Sequence, residues 1–178
     1  MVARREILVL CTGNAARSVM AGYMIEWLAA ERGLGDLRVT TAGTMAVAGQ
    51  PMSNRTRCAL ASIAELAHVP VGSHRSRDLS RGDVDRAGLV VAMEADHVRF
   101  VRRRHPHAAA RTAALRPLVR DLPAGPGSLA ERVASLRLAQ AELDDADDVA
   151  DPAGGDQETY VACAAELWKL CRELVDKL

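Results

Sequence analysis

A short, uninterrupted apolar run near the N-terminus constrains the fold more than any other feature of this chain. Ile7-Leu8-Val9-Leu10 has no polar alternation, which is typical of a strand buried on both faces of a parallel sheet. A Gly13-Asn14 turn signal follows, and apolar residues then recur at helical spacing until Gly33. The order of strand, tight turn and helix indicates an α/β fold.

The rest of the chain continues this alternation of strands and helices. Apolar patterns predict further strands over 37–41 and 87–93 and a weaker one over 113–118, which Pro117 interrupts. Helices are predicted between Ser53 and Pro70, over 95–104, after Ser128 with Glu131 in the capping-box position, and over 160–175. With 178 residues, we expect one α/β domain over 1–178.

Charge and cysteine content exclude several classes of protein. The 23 Lys and Arg balance the 23 Asp and Glu, so neither nucleic acid nor a membrane surface is expected as a partner. The apolar run before Cys11 is too short for a signal peptide or a membrane span, and we expect a cytoplasmic protein. None of the cysteines has zinc-site spacing, and Cys58, Cys163 and Cys171 fall on apolar helix stripes where a thiol packs as a small hydrophobe.

Chemistry is concentrated in the eight residues from Cys11 to Ser18, Cys-Thr-Gly-Asn-Ala-Ala-Arg-Ser. Backbone N–H groups of a tight turn and the start of a helix can converge on one anion, and the same field stabilises a Cys11 thiolate as a nucleophile. The Arg17 guanidinium matches two phosphate oxygens. Ser18 can donate a hydrogen bond to the sulfur, and Asn14 tolerates the left-handed backbone that such a loop needs.

This loop resembles that of the low-molecular-weight protein tyrosine phosphatases, whose pattern is Cys-x-Gly-Asn-x-Cys-Arg-Ser. Five later segments resemble the family in the same order along the chain: Thr41-Ala42-Gly43-Thr44, Gly49-Gln50-Pro51, the segment from His74 to Leu79, Met93-Glu94, and Asp151-Pro152-Ala153-Gly154-Gly155. The correspondence covers nearly the whole chain, and the excess length lies between about residues 119 and 148.

The resemblance implies a four-stranded parallel sheet flanked by helices and hydrolysis of a phosphomonoester through a phosphocysteine intermediate. Asp151 takes the family's general-acid role. Thr41 and His74 are expected to join Asn14 and Ser18 in a hydrogen-bond network that supports the loop. The expected phosphate-binding residues are Thr12, Gly13, Asn14, Ala15, Ala16, Arg17 and Ser18. No metal or other cofactor is expected, because the attacking atom is sulfur and the loop supplies the positive field.

Several functional alternatives remain open on the sequence. The family's commonest activity favours a protein-tyrosine phosphatase, whereas Thr12 and an Asp-Pro-x-Gly-Gly loop resemble the protein-arginine phosphatases. Arsenate reductases of the same fold need resolving thiols, and Cys163 and Cys171 lie on one predicted helix. An inactive phosphate-binding module is the last alternative. The expected partner is a phosphorylated protein or a small phosphomonoester, and the oligomeric state is open. Ala16 replaces the family's frequent second Cys, which removes the nearest thiol that could protect Cys11.

Overall fold

A parallel four-stranded sheet in the order β2-β1-β3-β4 forms the centre of the computed structural model, which describes residues 6–178. Residues 1–5, which precede the apolar run and are included in the expected domain, lie outside the described residues. The strands are β1 (Glu6–Cys11), β2 (Arg38–Gly43), β3 (Leu89–Ala92) and β4 (Thr112–Ala114). β1 pairs with β2 on one side and β3 on the other, which explains its continuous apolar run.

Within residues 6–178, seven α-helices connect and cover the strands: α1 (Arg17–Glu31), α2 (Asn54–Ala61), α3 (Arg81–Arg86), α4 (Ala95–Arg104), α5 (Leu115–Asp121), α6 (Leu129–Ser135) and α7 (Gln157–Val175). The predicted capping box at Ser128 is present, since its hydroxyl accepts from Glu131 N and the Glu131 carboxylate accepts from Ser128 N. Asp156 caps α7 by accepting from Thr159 N.

Alternate residues of β1 supply cores on the two faces of the sheet. Ile7 and Val9 belong to the larger cluster, with residues of α1, α2, α5 and α7. Leu8 and Leu10 belong to a second cluster, with Val84 of α3 and residues of α4. The helices therefore form one layer on each face, and the predicted α/β class is confirmed.

Four local differences from the sequence predictions have clear physical reasons. The helix predicted up to Pro70 ends at Ala61 and is followed by a 3₁₀ turn at Ala64–Leu66. The weak fourth strand covers only Thr112–Ala114, because Pro117 is accommodated in the first turn of α5 rather than in a strand. α3 was not predicted from an apolar pattern, although Ser80 and Asp83 form a capping box at its start. The fourth difference is the exposure of Cys58.

Cys58 is exposed on α2, so the prediction that it packs in the core is wrong. Cys163 and Cys171 are buried as predicted. Arg102, near the end of α4, donates to the carbonyls of Leu138 and Ala141 and so joins α4 to the segment after α6. None of the helices within residues 6–178 is long and apolar enough to cross a membrane.

Candidate active site

The candidate site lies at the carboxyl edge of the sheet, where β1 turns into α1. Cys11 is the last residue of β1 and Arg17 is the first residue of α1. Among residues 6–178, no side chain caps the start of α1 at Ala16. The first-turn N–H groups of this helix and its positive dipole end are therefore directed at the loop, an arrangement that favours an anion.

The sulfur of Cys11 has a hydrogen-bond partner. Its Sγ lies 3.0 Å from Ser18 Oγ, and Ser18 is buried. The Asn14 amide donates to the same Ser18 oxygen at 3.1 Å, which leaves the Ser18 proton free to point at sulfur. Ser18 can therefore donate to a Cys11 thiolate and stabilise it.

Asn14 organises the loop through both its backbone and its side chain. Its φ of 50° lies in the left-handed region, which Asn tolerates better than most residues. Its amide donates to Thr41 Oγ1 at 2.9 Å, its Oδ1 accepts from Arg77 N at 3.1 Å, and its carbonyl lies 2.9 Å from His74 Nε2. A carbonyl can only accept, so His74 carries a proton on Nε2. The structure thus brings the four predicted network residues together.

Two neighbouring segments, the start of α2 and the end of β2, contact the backbone of the loop. Thr56, at the start of α2, donates from its hydroxyl to the Ala15 carbonyl at 3.1 Å. At the end of β2, Gly43 lies so close that a Cβ placed on it would be 2.5 Å from the Thr12 carbonyl oxygen. Glycine is therefore the residue that lets β2 approach the loop backbone.

Arg17 is buried, with 2% of its side chain exposed, and is bound by acceptors from three positions. Its Nη1 donates to the Glu94 carboxylate and, at 2.9 Å, to the Val149 carbonyl. Its Nη2 donates to Asp151 Oδ2 at 2.7 Å. These bonds compensate the buried charge and fix the plane of the guanidinium beside the loop.

Asp151 is much more exposed than its partner, with 42% of its side chain accessible. Its Oδ1 accepts from Ala153 N at 3.0 Å, a local turn that places the carboxylate at the edge of the site. Two residues ahead, the Val149 carbonyl binds Arg17, and nearby Asp148 accepts from Ala95 N at the start of α4 at 2.7 Å. This bond joins the segment before Asp151 to α4, and burial raises the pKa of Asp148.

Sequence reasoning did not assign site roles to Glu94 and His97. Glu94 was noticed only as part of a family match, although its position directly after β3 places it at the carboxyl edge. His97, on the first turn of α4, lies with Nε2 2.9 Å from Thr12 Oγ1, and burial lowers its pKa. A single histidine in a helix carries no signal that would identify this contact.

The two buried thiols of α7 do not form a second reactive centre. Burial raises the pKa of Cys163 to about 12 and also raises the pKa of Cys171, so both are thiols at neutral pH. Cys163 Sγ donates to the Ala150 carbonyl at 3.8 Å. Among residues 6–178, no group of three or more His, Cys, Asp or Glu side chains could hold a metal ion.

Comparison with known proteins agrees with the fold and with the position of Cys11 in the loop. The family model of low molecular weight phosphotyrosine protein phosphatase matches residues 6–124. A protein-arginine-phosphatase from Geobacillus stearothermophilus is 30% identical over 173 residues, covering 97% of this chain and 95% of that protein. A probable low molecular weight protein-tyrosine-phosphatase from Ralstonia nicotianae is 29% identical over 104 residues, 57% of this chain and 64% of that protein.

Solved structures show the same similarity. The YwlE arginine phosphatase from Geobacillus stearothermophilus has a TM-score of 0.72 at 30% identity, covering 97% of this chain and 91% of that chain. A low molecular weight protein tyrosine phosphatase from T. tengcongensis has a TM-score of 0.74 at 28% identity, covering 97% and 99%. The resemblance found in the sequence is thereby confirmed. This chain belongs to the low molecular weight phosphotyrosine protein phosphatase family.

Proposed function

We propose that this chain hydrolyses phosphorylated protein side chains through a phosphocysteine intermediate, with Cys11 as nucleophile, Arg17 as phosphate ligand and Asp151 as general acid. The observation that carries the proposal is the placement of three groups around one loop. The Cys11 sulfur is paired with Ser18, and the Arg17 guanidinium bridges from the loop to Asp151. Family membership supports the same reading.

In the first step, the Cys11 thiolate attacks phosphorus and the bond to the leaving group breaks. The electron pair of that bond remains on the leaving atom, which takes a proton from Asp151. The loop N–H groups, the start of α1 and Arg17 bind the phosphoryl oxygens as charge shifts onto them. The product of this step is phosphocysteine together with a neutral alcohol, phenol or guanidine.

In the second step, water attacks the phosphocysteine and the bond between sulfur and phosphorus breaks. Asp151, now a carboxylate, accepts the proton of the water, and inorganic phosphate is released. The Ser18 hydroxyl donates to the departing Cys11 sulfur, which stabilises the thiolate as it forms. Both steps thus use Cys11, as nucleophile and then as leaving group, and Asp151, as acid and then as base.

The bond between Arg17 and Asp151 uses a donor that a phosphate group in the loop would also use. An oxyanion in the loop competes with Asp151 for the Arg17 Nη2 donors, which would leave the carboxylate free to turn toward the leaving group. The exposure of Asp151 allows this rotation without unpacking the core. Glu94 and the Val149 carbonyl would continue to hold Nη1 in place.

Phosphotyrosine is the first candidate substrate, because it is the substrate in the name of the family. Phosphoarginine is the second, favoured by a specific feature of the site. Thr12 provides a hydroxyl on the residue that follows the nucleophile in the chain, and residues 151–156 contain no aromatic side chain that could stack on a phosphotyrosine ring. The relative that is similar over 97% of this chain is named a protein-arginine-phosphatase.

Arsenate reduction is less well supported by the positions of the thiols. A relay of electrons from Cys11 would need a second thiol that reaches it as a thiolate. Cys163 and Cys171 are buried on α7, and burial raises the pKa of both. An inactive phosphate-binding module would require Arg17 and the loop, but neither a nucleophile nor an acid.

Metal-free hydrolysis of para-nitrophenyl phosphate tests the proposal, followed by phosphotyrosine and phosphoarginine peptides of the same sequence. We expect turnover by the native protein, none by Cys11→Ser, and slow turnover by Asp151→Asn. The folded state of each variant is checked by its melting temperature. Folded native protein that binds phosphate but turns over none of these substrates would contradict the proposal and favour the binding module.

A further inference from the structure

A buried histidine lies directly behind the residue that follows the nucleophile. His97 is 3% exposed, and its Nε2 is 2.9 Å from Thr12 Oγ1. Thr12 itself is only partly buried. A hydrogen bond from within the core thus reaches a side chain that is accessible from outside.

The surroundings of His97 assign its proton to Nε2. Glu94 Oε2 lies 3.5 Å from the same nitrogen, and a carboxylate beside an imidazole nitrogen favours N–H there over a lone pair. Nδ1 is buried and has no hydrogen-bond partner among residues 6–178. An unpaired lone pair at Nδ1 is the arrangement in which no buried N–H is left unsatisfied.

Other charged groups also affect the pKa of His97, but the neutral ring remains favoured. Burial is the largest influence and lowers its pKa; Arg17 acts in the same direction, while Glu94, Asp96 and Asp151 oppose it. A neutral ring can donate from one nitrogen only. His97 therefore donates from Nε2 to Thr12 Oγ1.

This direction determines what Thr12 can offer to a substrate. The Thr12 oxygen has two lone pairs and one proton. His97 uses one lone pair and holds the side chain in one rotamer, so the second lone pair keeps a fixed direction. A guanidine leaving group carries N–H donors that can bind this lone pair, whereas the bridging oxygen of an aryl phosphate has no proton to donate.

We propose that His97 is a positioning residue that fixes the rotamer and the accepting lone pair of Thr12, and that it thereby raises the preference of the site for leaving groups with N–H donors. This inference rests on the proposed phosphatase function. It goes beyond that function because it assigns the selection of the leaving group to the hydrogen bond between His97 of α4 and Thr12 of the loop, rather than to the groups that bind phosphate.

The first test measures the hydrogen bond itself and needs no turnover. Nitrogen-15 NMR of the imidazole ring in the native protein is expected to show a protonated Nε2 and an unprotonated Nδ1 for His97. In Thr12→Val, which keeps the shape of the side chain but has no hydroxyl, the Nε2 resonance should move. Protonation of Nδ1 instead, or no change in Thr12→Val, would overturn the inference.

The second test measures selectivity as the ratio of kcat/KM for a phosphoarginine peptide to that for a phosphotyrosine peptide of the same sequence. We expect His97→Leu and Thr12→Val each to lower this ratio by about 3- to 10-fold, the effect of one neutral hydrogen bond. The double variant should lower it no further than either single change, because both remove the same bond. His97→Gln, which retains an N–H at a similar reach, should keep the native ratio.

The two tests separate failure of this inference from failure of the proposed function. Hydrolysis of neither peptide by the native protein would contradict the proposed function, and the NMR experiment would still decide the bond. An active native protein whose ratio is unchanged in His97→Leu would overturn the inference. An equal fall in His97→Leu and His97→Gln would also overturn it, since it would show that packing rather than the donor matters.

Discussion

The close approach of β2 to the phosphate-binding loop yields a prediction whose size follows from the structure. A Cβ at Gly43 would lie 2.5 Å from the Thr12 carbonyl oxygen, 2.9 Å from the Ala46 Cβ and 3.0 Å from the Asn14 nitrogen. Ordinary contact begins at about 3.4 Å, so the Thr12 carbonyl would have to retreat by about 0.9 Å. None of the three atoms is the end of a flexible side chain that could turn away.

The backbone around Gly43 is fixed on both sides, so the strain cannot be relieved by moving β2. Its N–H donates to the Arg77 carbonyl at 2.9 Å and its carbonyl accepts from Leu79 N at 2.8 Å. The next residue, Thr44, donates to the Cys11 carbonyl at 3.0 Å. We therefore expect the added methyl group to displace the loop itself.

Gly43→Ala should lower the free energy of unfolding by about 2–3 kcal/mol, as overpacking against rigid neighbours does. For a chain of this size the melting temperature should fall by about 5–10 °C. The kcat for para-nitrophenyl phosphate should fall by about 10- to 100-fold, because a shift of this size misaligns the nucleophile. Thermal melting and steady-state kinetics measure both effects.

Gly72→Ala is the matched control, since a Cβ on Gly72 would have nothing within 4 Å. It should leave both the melting temperature and kcat near native values. Native stability and native kcat in Gly43→Ala would refute the reasoning, because they would show that the loop is not held against β2. Loss of stability with full activity would place the strain outside the loop.

Three further predictions concern the acid, the C-terminal packing and pH. Asp151→Asn should lower kcat by about 10²- to 10⁴-fold for phenyl phosphate, and by less for para-nitrophenyl phosphate, whose leaving group needs no proton. Lys177→Met should cost about 1.5–3 kcal/mol of unfolding free energy in denaturant titration, because the Lys177 ammonium donates to the carbonyls of Val119 and Leu122; the exposed Lys169→Met should cost little. Stability should also fall as pH drops below about 6.5, because burial lowers the pKa of three histidines in the folded chain, His74, His97 and His105.

The sign of the pH effect follows from which state binds more protons. Between the ordinary histidine pKa and the lowered folded values, the unfolded chain binds protons that the folded chain does not. Protonation therefore favours unfolding as pH falls, and the loss levels off once the folded histidines are protonated too. Urea unfolding at about pH 7.5 and about pH 5.5 should show the decrease, and His97→Gln should reduce it. A stability that rises on acidification would contradict the pH prediction. An equal fall in kcat for phenyl phosphate and para-nitrophenyl phosphate in Asp151→Asn would contradict the role of Asp151 as acid. An equal loss of unfolding free energy in Lys177→Met and Lys169→Met would contradict the role of the Lys177 hydrogen bonds.

The elements that the sequence predicted well are those with strong local patterns. The apolar run of β1, the bounds of α4 and the capping box at Ser128 were all recognisable, because each depends on residues that are close in the chain. α3 was missed because its six residues include a single apolar side chain, Val84, which is too few to show helical spacing, although Ser80 and Asp83 mark its start. β4 was misplaced because three residues are too few to show alternation.

The candidate site likewise contains some residues that the sequence could predict and others that it could not. The loop from Cys11 to Ser18 could be proposed because its residues are contiguous, whereas Asp151 was proposed only through its resemblance to the Asp-Pro loop of the family. The binding of Arg17 by Glu94 and by the Val149 carbonyl could not, since it depends on how β3 and the segment before α7 meet at the sheet edge. A backbone carbonyl has no sequence signature at all.

The exposed position of Cys58 and the contact between His97 and Thr12 show the same limit. Cys58 lies on a helix whose predicted stripe is broken at Ser62, so the buried face is narrower than the apolar pattern suggests. His97 was read as one residue of a helix, and only the packing of α4 against the loop gives it a partner. Tertiary contacts of this kind are fixed by the arrangement of elements rather than by local propensity.

The most direct test of the central claim is to trap the phosphocysteine. Native protein mixed with excess para-nitrophenyl phosphate is stopped rapidly in denaturant, and the peptide that contains Cys11 is examined by mass spectrometry, with Cys11→Ser and Cys58→Ser as controls. We predict one phosphoryl group on Cys11 in the native protein and in Cys58→Ser, with turnover in both and none in Cys11→Ser. Turnover that persists in Cys11→Ser, or a phosphoryl group found on another residue, would contradict the assignment of Cys11 as the nucleophile.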